Sequence, residues 1–132
     1  MADYDWVLQQ VVYALHQRQL AEHGGDSGVR DEGLLESALA RPQNLLAYGD
    51  PEPDIAALAA SYAYGICKNH AFIDGNKRVA YVTARMFLVL NGADINASQE
   101  DKYLTMLALA QGEMEEEALA DWFRQRIIPT MF

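Results

Sequence analysis

The sequence predicts an all-α domain of six or seven helices. Apolar residues recur at helical spacing in successive segments, and glycine, proline, aspartate and asparagine punctuate those segments at helix-length intervals. No run alternates apolar and polar residues over a useful strand length. At 132 residues and 51% hydrophobic, the chain fits one domain over residues 1–132 that buries about two-thirds of its unfolded surface.

The first helix runs from Asp5 to His23, with Val7, Val11, Ala14 and Leu15 on one face, and Gly24 and Gly25 stop it. His16 and His23 read as solvated or partly packed and receive no role. Asp31 caps a second helix with a buried stripe of Leu34, Leu35, Ala38 and Leu39; Pro42 soon ends it, and Gln43 to Tyr48 is looser. A turn through Asp50, Pro51 and Pro53 leads to Asp54, which caps a long helix through Ala57, Ala60, Ala63, Tyr64 and Cys67. Its small residues predict a central position, and it ends near Asn69. A fourth helix, with Val79, Val82, Met86, Phe87 and Leu90, begins near Asn76 and stops at Asn91 and Gly92. Two more span Glu100 to Ala110 and Glu115 to Arg126, the last acidic in its first turn and basic in its final one, as the helix dipole favours. A short hairpin near Asp94 to Ala97 is the one place for strands.

Composition removes several function classes. The single Cys67 cannot form an internal disulfide and reads as buried packing; His16, His23 and His70 are too scattered for a zinc site. The apolar stretch from Ile55 to Cys67, about 13 residues, is too short to span a membrane. The acidic start MADYDW lacks a secretory pattern, which predicts a cytoplasmic protein. A net charge of −9 argues against a nucleic-acid binder. Yet Lys68, Lys77, Arg78 and Arg85 face only Asp74 between residues 68 and 85, whereas Asp94 to Asp121 is almost wholly acidic. A local positive pocket sits in an acidic chain.

That pocket centres on HAFIDGNKR, His70 to Arg78. A helix N-terminus presents unpaired N–H groups and positive partial charge, which suits an anion. Gly75 has no Cβ and bares its amide, Asn76 caps the helix, and Lys77 and Arg78 add full charges. Two cations at a helix N-terminus oppose the dipole unless an anion is present. His70, six residues ahead of Asn76, is placed to act as a base near neutral pH. Asp74 suits Mg²⁺, which takes carboxylate, phosphate and water oxygens. Each residue also has a structural reading: Asp74 and Asn76 as rival caps, Phe72 as a core plug, Lys77 and Arg78 as solvated charges.

HAFIDGNKR resembles the signature of the Fic and Doc superfamily: His, any residue, Phe, any residue, Asp or Glu, a small residue, Asn, a basic residue or glycine, then Arg. GVRDEGLLESALARP, Gly28 to Pro42, is similar to the stretch preceding the core helices of the Doc (death-on-curing) branch. The resemblance implies a compact Fic/Doc-type helical bundle. His70 would be general base on a target hydroxyl, Asp74 the Mg²⁺ ligand, and Phe72 the anchor of the loop. Gly75, Asn76, Lys77 and Arg78 would hold the phosphates of ATP, with Lys68 a weaker candidate. AMP-transferring members have glycine where Lys77 stands and arginine where Tyr81 stands, so both departures point to the Doc branch. That branch implies a protein kinase toxin transferring the γ-phosphate to a Ser/Thr hydroxyl of a translation factor, elongation factor Tu, restrained by a small antitoxin. No self-inhibitory Ser/Thr-xxx-Glu-Gly/Asn helix is found, so restraint is expected from a separate partner. Fic-type AMP transfer is the alternative, and a binding module without turnover is a third reading.

Overall fold

Alanines at 56, 59, 60 and 63 and a glycine at 65 leave neighbouring backbones free to come close, and the helix that carries them lies at the centre. In the computed structural model, which describes residues 3–130, six helices and two short strands follow in the order α1 (Gln9–His23), α2 (Glu32–Tyr48), α3 (Ile55–Asn69), α4 (Asn76–Leu90), β1 (Ala93–Ile95), α5 (Gln99–Ala110), α6 (Glu116–Arg124) and β2 (Ile127–Pro129). The fold is the all-α one expected.

Helix α3 packs against α2, α4 and α6 at once. A Cβ at Gly65 would come within 2.8 Å of Arg41 Cδ and 3.4 Å of the Ala38 Cα, so this glycine sets the close approach of α2. Around α3 the core is filled by Tyr62, Phe72, Phe87, Phe123, Leu35 and Leu58, all fully buried. Trp6, just before α1, stacks on Phe87 with ring centroids 5.6 Å apart. Two helices have the caps expected of them: Asp31 accepts from Leu34 N–H at 3.0 Å and Asp54 from Ala57 N–H at 2.9 Å. The boundaries of α3 and α4 are also as expected.

Four local expectations are corrected. The first helix begins at Gln9 rather than Asp5, because the Asp5 backbone is bonded on both sides to the Asn91 side chain, N–H to Oδ1 at 2.8 Å and C=O from Nδ2 at 2.9 Å. Its buried residues are accordingly Val12 and His16, one position round from the stripe read in the sequence. Pro42 does not end α2: it lies inside the helix, itself buried, and the turn carrying Leu45 and Leu46 packs against the core. That burial offsets the roughly 3 kcal/mol that an internal proline forfeits. Asp94 to Ala97 forms no hairpin; β1 pairs antiparallel with the distant β2, Asp94 opposite Ile128, tying the chain after α6 to the end of α4.

Candidate active site

The loop between α3 and α4 is built from both ends. At the end of α3, His70 takes the left-handed conformation (φ 51°, ψ 47°), the one non-glycine among the described residues with positive φ. Such a conformation costs about 1 kcal/mol for a residue with a Cβ and persists where neighbours hold it. Here Arg30 does so: its Nε donates to the His70 carbonyl at 2.9 Å and its Nη2 to the Asn69 carbonyl at 3.1 Å. The Asn69 side chain in turn donates to the Leu34 carbonyl of α2 at 2.8 Å. The His70 ring is exposed and has no hydrogen-bond partner among the described residues, so its nitrogens stand free beside the loop.

The next residues lie against the segment before α2. The Ala71 carbonyl accepts from Arg30 N–H at 2.7 Å and Asp31 N–H at 3.0 Å, Val29 and Phe72 form an antiparallel bridge, and Ile73 N–H donates to the Gly28 carbonyl at 3.1 Å. Phe72 plugs the core, its ring stacked on His16 at 3.9 Å and edge-on to Tyr13 at 6.5 Å. Asn76 closes the turn from within: Oδ1 accepts from Phe72 N–H at 3.0 Å and Nδ2 donates to the Phe72 carbonyl at 2.9 Å. This corrects the capping role read for Asn76. The cap position is held by Gly75 (φ 76°), with no side-chain bond to the helix, and the buried Asn76 side chain is committed to the loop.

Asp74 is gripped three ways. His16 Nε2–H donates to its carbonyl at 2.8 Å, Gly75 N–H to Oδ1 at 2.8 Å, and Asp26 N–H to Oδ2 at 3.2 Å. The two amides, Asp26 first, hold its carboxyl below the usual carboxylate range, with Arg78 and His16 adding to the effect. Gly25 makes room for this contact, since a Cβ there would lie 2.9 Å from Asp74 Oδ2. The carboxylate is exposed and keeps free lone pairs.

At the start of α4 the amides of Asn76, Lys77 and Arg78 have no acceptor among the described residues. Lys77 and Arg78 are exposed and make no ion pair. These groups, with His70 and Asp74, line a cleft of about 980 Å³ whose far wall is α5 and whose third side is the end of α1. His70, Asp74, Gly75, Asn76, Lys77 and Arg78 therefore come together on one face of one cleft. Lys68 does not join them: its ammonium lies 5.5 Å over the Tyr64 ring, away from the cleft lining.

Three contributors to the site go unread in the sequence. His16, expected to be solvated or loosely packed, is buried, stacked on Phe72 and bonded to the loop. Val12 and His16 stand four apart on one helical face, and that spacing is the signal that could have found it. Arg30 holds the His70 turn, and nothing local to residues 28–31 announces it. Lys102 lines the α5 side of the cleft from within a stretch read as acidic.

A helical core presents such a loop at a helix N-terminus, with a free histidine, an ionised aspartate and bare amides on one cleft, an arrangement chemically suited to an anion. Residues 6–88 match the Fic/DOC family, and the chain belongs to it, on the Doc side. It is 35% identical over 112 residues to the protein named Protein kinase doc of Escherichia phage P1, covering 85% of this chain and 87% of that protein. It is 43% identical over 74 residues to the protein named Toxin Doc of Mycolicibacterium smegmatis, a match over 56% of this chain and 57% of that relative's length.

Proposed function

We propose that this chain is a Doc-type toxin acting as a protein kinase, with ATP as phosphate donor and a Ser/Thr hydroxyl of a translation factor, elongation factor Tu, as acceptor. The observation that carries the reading is the free His70 ring beside three unpaired amides and the ionised Asp74 in one cleft. In this reading the amides of Asn76, Lys77 and Arg78 and the two side-chain cations receive the polyphosphate, and Gly75, whose own N–H is held by Asp74, lets it come close because it has no Cβ. His70 takes the proton of the acceptor hydroxyl as that oxygen bonds to the γ-phosphorus, the bond to the β,γ-bridging oxygen breaks, and ADP leaves. The Asn76 side chain acts as a positioning group, because its amide is already spent on Phe72.

The residues also fit Mg²⁺. No group of three or more His, Cys, Asp or Glu among the described residues could hold a metal by itself, so the ion would rest on Asp74 and take its other ligands from phosphate and water, as Mg²⁺ commonly does. It would neutralise charge on the phosphates. A small antitoxin is the proposed restraint, in keeping with the name Toxin Doc carried by one relative. No helix among the described residues is long and apolar enough to cross a membrane.

The mass added to co-expressed elongation factor Tu tests the reading. A gain of about 80 Da means phosphate and supports it, and about 329 Da means AMP and replaces it with nucleotidyl transfer. The Lys77→Gly change bears on the same choice: Lys77 fills space that glycine leaves open, so a shift from γ- to α-phosphate labelling is the expected outcome.

A further inference from the structure

Of the ten lysines and arginines, all within the described residues, five make ion pairs with carboxylates: Arg18, Arg41, Arg85, Arg124 and Arg126. In a chain with net charge −9, cations that remain unpaired are conspicuous. Three of them, Lys77, Arg78 and Lys102, line the same cleft. Two belong to the start of α4. The third stands on α5, across the cleft.

Lys102 has no carboxylate within ion-pair reach among the described residues; its ammonium lies 5.5 Å from the centroid of the Tyr81 ring on α4. The relation is reciprocal, because Lys77 of α4 lies 6.0 Å from the centroid of the Tyr103 ring on α5. Each helix thus rests a free cation on a tyrosine of the other. Such contacts at partly exposed sites are weak, about 0.5–1 kcal/mol, and yield to a full anionic partner. Tyr81 lies three residues past Arg78, about 4.5 Å further along the helix axis. That displacement is longer than the step between adjacent phosphates, so an anion that bridges the two positions must carry more than one phosphate. The phenolic oxygen of Tyr81 is buried without a hydrogen-bond partner.

We propose that Lys102 is a second phosphate-binding residue, so that a nucleotide polyphosphate seated at the start of α4 extends toward α5 and is held from both walls of the cleft. The contact rests on the nucleotide-binding role proposed for the cleft and adds to it a residue that neither the loop nor the start of α4 contains. Its consequence is selectivity for polyphosphates over a single phosphate, because only a longer anion reaches Lys102 while occupying the amides of α4.

Isothermal titration of the full chain with ATP, inorganic triphosphate and inorganic phosphate at fixed ionic strength tests this. Lys102→Gln should weaken ATP and triphosphate about tenfold and leave phosphate unchanged, Lys102→Arg should retain most of the affinity, and Arg18→Gln, a paired surface cation on α1, should change nothing. Thermal melting of each variant checks that the fold is kept. ATP and triphosphate affinities within twofold of the parent in a folded Lys102→Gln variant overturn the contact while leaving the nucleotide reading standing. A parent chain that takes up neither ATP nor triphosphate overturns both together. Equal losses for phosphate and triphosphate also overturn it, since that pattern means a general field effect.

Discussion

Along one wall of the cleft, residues 70–76, nearly every residue is fixed by directional hydrogen bonds: Arg30 on His70, Arg30 and Asp31 amides on Ala71, Asn76 on Phe72, Gly28 on Ile73, and His16, Asp26 and Gly75 on Asp74. Along the other, α5, two lysine–tyrosine pairs at 5.5 and 6.0 Å reach across to α4. Hydrogen bonds fail within a few tenths of an ångström or tens of degrees, whereas a cation over a ring tolerates sliding. One wall therefore holds its atoms in place and the other can adjust. Changes on the first wall should be severe and specific; changes on the second should be graded.

The largest effect is expected at His70. His70→Ala removes an exposed ring without disturbing the backbone bonds of the loop, so transfer should fall by about 10²–10⁴ while the melting temperature stays put. Labelling from γ-phosphate ATP alongside thermal melting reads both. Phe72→Ala should lower stability by about 3–5 kcal/mol, because it empties a fully buried site between His16 and Tyr13; a denaturant titration measures it. Persistence of full stability would mean that the first wall is not anchored through this ring.

Asp74 gives a subtler break. Its amide partners lower its pKa, so the carboxylate form is present above the ordinary carboxylate value near 3.8 and persists below it; protonation of Asp74 should therefore cost no Mg²⁺ uptake until the pH falls below that value, any loss at higher pH coming from the nucleotide's own phosphates. Asp74→Asn should remove that uptake with folding nearly unchanged, and equal Mg²⁺ binding in both proteins would refute the metal role. The smallest effect belongs to Tyr81, the α4 ring over which the second wall's Lys102 lies. Burial pushes the Tyr81 phenol up to about 12, and its oxygen has no partner, so Tyr81→Phe should leave stability unchanged or raise it by up to about 1 kcal/mol in thermal melts. A clear loss would reveal a hydrogen bond that this turn of α4 needs.

The same contrast explains what can be read in the sequence. Asn69, Gly75, Asn91 and Gly92 mark helix ends through local backbone preference, and α3 and α4 fall at the expected places. The run from His70 to Arg78 is legible because its chemistry is contiguous. Pro42 misleads, because the burial that carries α2 past it is tertiary. The β1–β2 pair cannot be read, as its partners are separated by more than thirty residues and each is three residues long. His16 and Arg30 act at the loop through bonds spanning 58 and 40 residues, and no local pattern encodes either bond. Lys102 is hidden by its acidic neighbours.

The bond from His16 to Asp74 also has a consequence in time. The chain emerges from synthesis with α1 first, and α1 must wait for 58 further residues before its histidine meets the carbonyl it holds. Arg30 waits for 40. Contacts of such long separation form late and together, since the loops they close must be ordered first. The loop wall of the cleft thus comes into being as one event, after residue 74 has been made, and a nascent chain carries the residues of the cleft long before it carries the cleft.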